Sequence, residues 1–311
     1  MIKNYDLKDS VVIGLGYWGS NIARELKKKG RLYGIIEPNK KIIKKFNVKI
    51  LNFDDLNNSK IKNCFISSPS YLHYNHVNKV LKYKKNIFVE KPLAFNLKEI
   101  NNLKKKILNK NINFMVGYLL LFHPALIKLK KLIKSEKNKL LLIKSSRKGN
   151  GKIRQKDNVL WNLAIHDLAY IFDILKFDIK DFKKLNFKFL NNKIDESKIL
   201  IKFKNKITYS GEFSWLHHEK IQSMIFQTKN SLYIFDDLAE NKLVKFKIKI
   251  TKDLQKNSKI KFLKKEIINF EKISPLENEI NTFLSFSDSR KKYNNFKFTE
   301  NLSKILLKLV N

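Results

Sequence analysis

Three short stretches carry residue types that could do chemistry together. The first, Gly14-Leu15-Gly16-Tyr17-Trp18-Gly19, follows an apolar run and opens an amphipathic one, the context that gives a GxGxxG pattern meaning as a dinucleotide fingerprint. Gly14 permits a tight turn, Gly16 lets backbone approach a pyrophosphate at a helix N-terminus, and Gly19 lets helix and strand pack closely. Glu37 stands at the end of the next apolar run, where a carboxylate can accept hydrogen bonds from ribose hydroxyls and repels a 2'-phosphate. The second stretch is Val89-Glu90-Lys91-Pro92, at the end of another apolar run. The third is Trp161-Asn162-Leu163-Ala164-Ile165-His166-Asp167, in which Asn162 and His166 stand four apart and so share one face of a helix. Arg147 and Arg154 bracket a Gly-Asn-Gly segment ahead of it. In a chain that otherwise uses lysine, a planar two-pronged donor there suits a carboxylate or diphosphate.

These residues need a scaffold, and the apolar pattern supplies one. Continuous apolar runs at 11–13, 33–36, 64–66, 87–89 and 114–116 read as strands buried on both faces, separated by helical patterns such as Ile22, Ala23 and Leu26 with Gly30 as the stop. That is a parallel βαβ arrangement. After about residue 122 the period changes. Ile207, Tyr209, Gly211, Phe213 and Trp215 alternate with polar residues, and Val244, Phe246, Ile248 and Ile250 alternate with lysines. Similar alternation at 185–189, 199–203 and 224–226 predicts an antiparallel sheet of six or more strands with one wet face. Two helices, at 124–133 and 159–175, are expected ahead of that sheet, and two more, at 276–286 and 299–310, after it. The fold class is thus an α/β domain over 1–122 followed by an α+β domain over 123–311 with a large open, mostly antiparallel sheet. The C-terminal helix is expected to pack back on the first domain.

Composition removes several function classes. The chain has 311 residues, 43% hydrophobic and 30% charged, which excludes a disordered or collagen-like chain. Its formal charge of +37 would suit a polyanion, yet only five of its 65 basic residues are arginine and the lysines are spread evenly. A solvated lysine surface is the reading, with no nucleic-acid partner. No apolar stretch approaches the roughly 18 residues of a membrane span, no signal core follows the first residues, and the expected location is cytoplasmic. One cysteine, Cys64, excludes disulfide and cysteine–metal scaffolds, and no metal site is expected, including at His73 and His76.

Taken together, the chain resembles the Gfo/Idh/MocA family of nicotinamide-dependent sugar and cyclitol dehydrogenases. GLGYWGSNIAREL, SSPSYLHYNHV, VEKPLAFN, GYLLLFHPALIKLKKLI, VLWNLAIHDLAYIFDIL and PLENEINTFL look like its signatures in the family's order. The resemblance implies a Rossmann domain, then a domain whose open sheet makes the interface of a homodimer or homotetramer. It implies NAD as cofactor, held by Gly14, Gly16, Tyr17, Trp18, Gly19, Glu37, Ser67, Pro69, His73, Glu90 and Lys91. Lys91 matches the family's catalytic lysine, and His166 the histidine that exchanges a proton with the substrate hydroxyl. Asn162 stands where aspartate is frequent, and Tyr118 where histidine is common. The expected substrate contacts are Asn162, Arg147 and Arg154. A neutral imidazole can take a hydroxyl proton as hydride leaves, while a lysine charge stabilises the alkoxide and disfavours the imidazolium. Lys91 and His166 are expected to converge on one substrate hydroxyl. The implied activity is hydride transfer between NAD(H) and a secondary hydroxyl of a sugar or nucleotide-linked sugar. An inositol-type cyclitol dehydrogenase and a non-catalytic NAD-binding regulatory protein are the alternatives.

Overall fold

The computed structural model describes residues 7–44, 46–135, 140–149, 153, 157–190, 192–252 and 258–311. The chain forms two compact units, Met1–Leu119 with Pro275–Leu307, and Leu120–Ser274 with Lys308–Asn311.

The first unit begins with a run of parallel crossovers. Strand β1 (Ser10–Ile13), helix α1 (Tyr17–Lys28), β2 (Leu32–Ile36), α2 (Lys40–Lys44), β3 (Lys49–Ile50), β4 (Asn63–Ile66), α3 (His73–Leu81), β5 (Asn86–Glu90), α4 (Leu97–Leu108) and β6 (Phe114–Gly117) follow in order. The strands form one parallel sheet in the order β3-β2-β1-β4-β5-β6. The order reverses between β1 and β4, and ligands of such sheets bind at the carboxyl ends beside that reversal. Every residue of β1, β4 and β6 is buried, which is why, after Ser10 and Asn63 at the starts of β1 and β4, their sequences run apolar rather than alternate. The five expected strands are present. The sixth, β3, is two exposed residues long and leaves no apolar signature.

In the second unit, α5 (Pro124–Ser135) leads into β7 (Leu140–Lys148), then a single π-helical turn at Leu160–Ala164 that runs into α6 (Ile165–Leu175). Seven strands follow: β8 (Ile179–Phe187), β9 (Glu196–Phe203), β10 (Thr208–Ser214), β11 (Ile221–Thr228), β12 (Ser231–Asp236), β13 (Leu243–Lys252) and β14 (Ser258–Ile267). The sheet order is β14-β13-β12-β11-β7-β10-β9-β8, antiparallel except for the β7–β10 pair. Strand β7 therefore separates the two helices that were expected to precede the sheet together, and it takes a central place. Its opening residues are a continuous apolar run and its end is polar, so neither period marks it. One face is the core: Tyr209 and Phe213 of β10, Ile199 and Ile201 of β9, and Phe226 of β11 are all buried. Tyr170 of α6 packs edge-on against Phe226 and donates to the Leu126 carbonyl of α5. Thr208, Ser210 and Glu212 of β10, on the other face, stay half-buried.

The chain then returns to the first unit with α7 (Pro275–Ser287) and with α8 (Phe296–Val310) as far as Leu307. Phe283 of α7 meets the rings of Phe65 and Phe88 edge-on, with centroids 5.1 and 5.8 Å apart. Arg31 locks this return: its guanidinium bonds both carboxylate oxygens of Asp9 at 2.9 and 2.8 Å and both of Asp288 at 2.7 and 2.9 Å. Such double forks hold geometry as well as charge. No helix among the described residues is long and apolar enough to cross a membrane.

Candidate functional site

The glycine turn sits between β1 and α1 as its spacing predicts. Gly14 has φ +91°, and a Cβ there would lie 2.5 Å from the Ser68 backbone. A Cβ on Gly19 would lie 2.1 Å from the Gly14 carbonyl oxygen. Those two glycines are demanded by the fold itself. Gly16 is different, because a Cβ there would meet nothing within 4 Å. It is the N-cap of α1, is exposed and gives the helix no side-chain cap. The turn thus keeps open space in front of uncapped helix N–H groups, which fits a pyrophosphate laid against the backbone. Tyr17 is 85% exposed beside it. Glu37 is fixed at the end of β2 by accepting the Leu15 amide at 2.7 Å and the Asn39 amide at 3.0 Å. Its carboxylate therefore sits against the glycine turn, where a ribose would be read.

The loop after β4 completes this edge. The Ser67 amide donates to the Ile13 carbonyl at 2.8 Å, and Pro69 is exposed. His73 departs from the expectation of a cofactor contact. It is 1% exposed, and its Nδ1 and Nε2 lie 2.8 Å from the carbonyls of Pro92 and Ser68. With both nitrogens facing carbonyls, the ring clamps the loop after β4 to the loop after β5 and has none left for a ligand. His76 lies 2.9 Å from the Ser68 hydroxyl, and burial, with Lys79 and His73 nearby, lowers its pKa to about 4.

Glu90 and Lys91 leave the carboxyl end of β5. The Trp18 indole N–H donates to a Glu90 carboxylate oxygen, which ties α1 to this strand. Burial raises the Glu90 pKa, against the pull of Lys91 and of that hydrogen bond. Tyr118, just past β6, is 1% exposed and lies edge-on to Phe298 of α8, so it belongs to the core. Sequence reading missed Glu279 on α7, which is 1% exposed with neither carboxyl oxygen hydrogen-bonded. A buried Glu in PLENEINTFL is marked only by the apolar positions around it.

In the second unit, Asn162 lies in the π turn and His166 at the start of α6, both half-buried, as is Leu163, on a segment whose other residues from Val159 to Asp167 are buried. The Asn158 side chain accepts the amides of Leu160 and Trp161 and so starts the turn. The step from Asn162 to His166 runs through the wider i→i+5 turn rather than along a regular α-helix, a local distortion frequent at functional sites. Arg147 does not stand ready for a substrate anion as expected. It is 6% exposed, and its Nε donates to Asp167 at 2.7 Å. Asp167 is fully buried next to His166 in sequence and needs that countercharge. Burial still raises the Asp167 pKa, with Arg147 pulling it back. Ser145 lies 2.8 Å from the Tyr209 hydroxyl on the same sheet face. Arg154 lies outside the described residues. Among the described residues no group of three or more His, Cys, Asp or Glu could hold a metal ion.

Residues 8–118 match the family model described as "Oxidoreductase family, NAD-binding Rossmann fold", GFO_IDH_MocA. The match covers about a third of this chain and lies within its first unit. A curated relative, the 2,7-anhydro-N-acetylneuraminate hydratase of Escherichia coli K12, is 30% identical over 129 residues, 40% of this chain and 35% of that protein. The match thus spans about a third of that relative's length. The UDP-N-acetylglucosamine 3-dehydrogenase GnnA of Acidithiobacillus ferrooxidans shares the fold with a TM-score of 0.83 at 17% identity, over 97% of this chain and 96% of that one. GenD2 from gentamicin A biosynthesis, solved with NAD, aligns with a TM-score of 0.79 at 13% identity, over 96% and 92%. Both solved structures share, over nearly the whole chain, the fold of a parallel Rossmann-type sheet followed by a large, mostly antiparallel sheet.

Proposed function

We propose that this protein is an NAD(H)-dependent oxidoreductase acting on a secondary hydroxyl of a sugar or nucleotide-linked sugar. The observation that carries the reading is Gly16, a glycine the fold does not require, open in front of the uncapped N-terminus of α1 with Glu37 fixed beside it. Bound NAD would supply the hydride acceptor. In this reading His166 takes the proton of the substrate hydroxyl, and Lys91 places a positive charge on the oxygen as it becomes an alkoxide. Asn162 orients the substrate or the imidazole without adding charge. What supports a nucleotide-linked sugar is the fold shared with the UDP-N-acetylglucosamine enzyme. Arg147, buried against Asp167, lends no support to a diphosphate contact.

The test pairs a titration with reduced dinucleotides and a turnover panel. The panel holds UDP-N-acetylglucosamine, inositol, free polyols and 2,7-anhydro-N-acetylneuraminate. Expected are NADH binding and NAD reduction with one sugar class. Lys91→Ala and His166→Ala should each cut turnover by a factor on the order of 100 or more while NADH still binds. Absence of dinucleotide binding would overturn the reading, and binding without any turnover would favour a regulatory cofactor sensor.

A further inference from the structure

We propose that Glu279 and Glu90 carry one proton between them inside the first unit, Glu279 staying a neutral acid while Glu90 ionises as the counter-charge that positions Lys91. Glu90 ends β5 in register with Gly117 at the end of β6. A Cβ added to Gly117 would fall 3.3 Å from Glu279 Oε1, so α7 lays its carboxyl group against that same strand end. Each element packed there contributes a named group. Helix α1 gives the Trp18 indole, which occupies a Glu90 oxygen, and the chain past β5 gives Lys91. Past β6, Tyr118 turns its backbone amide toward Glu279, and its buried phenol stays un-ionised. Among these groups two are acids and one is a cation.

Ionising both carboxyls would bury a second negative charge that no further cation among these groups offsets. Neither Glu279 oxygen has a hydrogen bond of good geometry, and the Tyr118 amide that faces it is a weak donor at best, so Glu279 is poor in the donors that stabilise a buried carboxylate. Glu90 has an N–H donor and Lys91 beside it. The asymmetry assigns the proton: Glu279 keeps it and Glu90 loses it. Burial and the Glu90 charge both raise the Glu279 pKa, in the same direction as the geometry. A neutral Glu279 leaves the field of Glu90 on Lys91 undiluted and uncrowded, so the ammonium is held at the strand end where the dinucleotide reading above needs it. The effect on the nucleotide rests on that reading, whereas the proton does not.

Infrared difference spectra of the full chain read the proton. Wild type minus Glu279→Gln near neutral pH should show the loss of one protonated carboxylic acid band. Lys91→Met should add a second such band, because Glu90 loses its cation. NADH affinity of the wild type should weaken over the same alkaline range in which the Glu279 band disappears, and Glu279→Gln should bind NADH like the neutral wild type without that decline. Glu279→Ala, which removes shape as well, provides the comparison for packing. An unchanged acid band in Glu279→Gln, or the same pH profile in both proteins, overturns the proposal. If the wild type binds no NADH while the band behaves as expected, the cofactor reading fails and the proton assignment stands.

Discussion

Arg147→Met separates two roles for one side chain. Sequence reading gives this arginine to a substrate anion, whereas the structure buries it against Asp167, whose side chain is fully buried. Methionine keeps much of the volume and removes the charge, which leaves Asp167 without its countercharge and with the Ser145 hydroxyl still beside it. Stripping one member from a buried ion pair costs about 3–5 kcal/mol. For a unit of this size each kcal/mol moves the melting temperature by about 2–4 °C, so the second unit should melt roughly 6–20 °C lower. The pH dependence has a defined sign. Burial raises the Asp167 pKa and Arg147 opposes this, so the variant raises it further. The folded variant then holds a proton that the unfolded chain has released, and it loses stability as pH rises from the ordinary aspartate range to the new folded pKa. Thermal or urea melts should show the deficit smaller near about pH 5 than near about pH 8. Adding Asp167→Leu should recover most of the loss, because the orphaned charge is gone. A loss below about 1 kcal/mol with no pH dependence would refute this account and return Arg147 to the substrate.

Glu37 should make NADH bind at least about tenfold more tightly than NADPH, because a carboxylate fixed by the Leu15 and Asn39 amides meets a 2'-phosphate with like charge. Fluorescence titration with both cofactors checks it, and Glu37→Ser should narrow the gap. Cys64 is fully buried in β4 and its thiol is pushed up to about 12, so aromatic disulfide reagents should modify it only as fast as the first unit opens. Rapid native-state labelling would contradict that. The outer face of the eight-stranded sheet bears Leu200 and Phe187, 36% and 38% exposed, beside Ser210 and Glu212. Sedimentation at micromolar concentration should find a homodimer or homotetramer, and a species at monomer mass alone would count against an interface there.

What the sequence made legible divides by mechanism. Apolar runs bounded by helical patterns located five strands of the parallel sheet, because burial on both faces leaves no choice of residue type. The alternating strands β9 to β11 and β13 were legible for the complementary reason of one covered face. Strand β14 escaped because its residues are exposed on nearly every position, so the apolar ones mark no core. Of the expected site residues, Gly14 and Gly19 stand in the tight turn that their pattern predicts and Glu37 at the end of β2 as its spacing predicts. Burial direction was not. His73 and Arg147 read as ligand contacts because residue type says what a side chain can bond and not which neighbour takes the bond first. Glu279 went unnoticed because a single acidic residue in a helix is ordinarily at the surface.

The return of α7 to the first sheet bears on how the chain acquires its shape during synthesis. Phe65 and Phe88 leave the ribosome early, yet Phe283, which covers both, emerges only after Leu120–Ser274 of the second unit has been made. At about 5–20 residues per second that interval lasts on the order of ten to forty seconds. Through it the nascent parallel sheet has an uncovered aromatic face, and Arg31 has Asp9 but not yet Asp288. A stop just before residue 275 would therefore release a chain whose second unit is nearly all present and whose first is unfinished, a species suited to chaperone capture rather than to nucleotide binding.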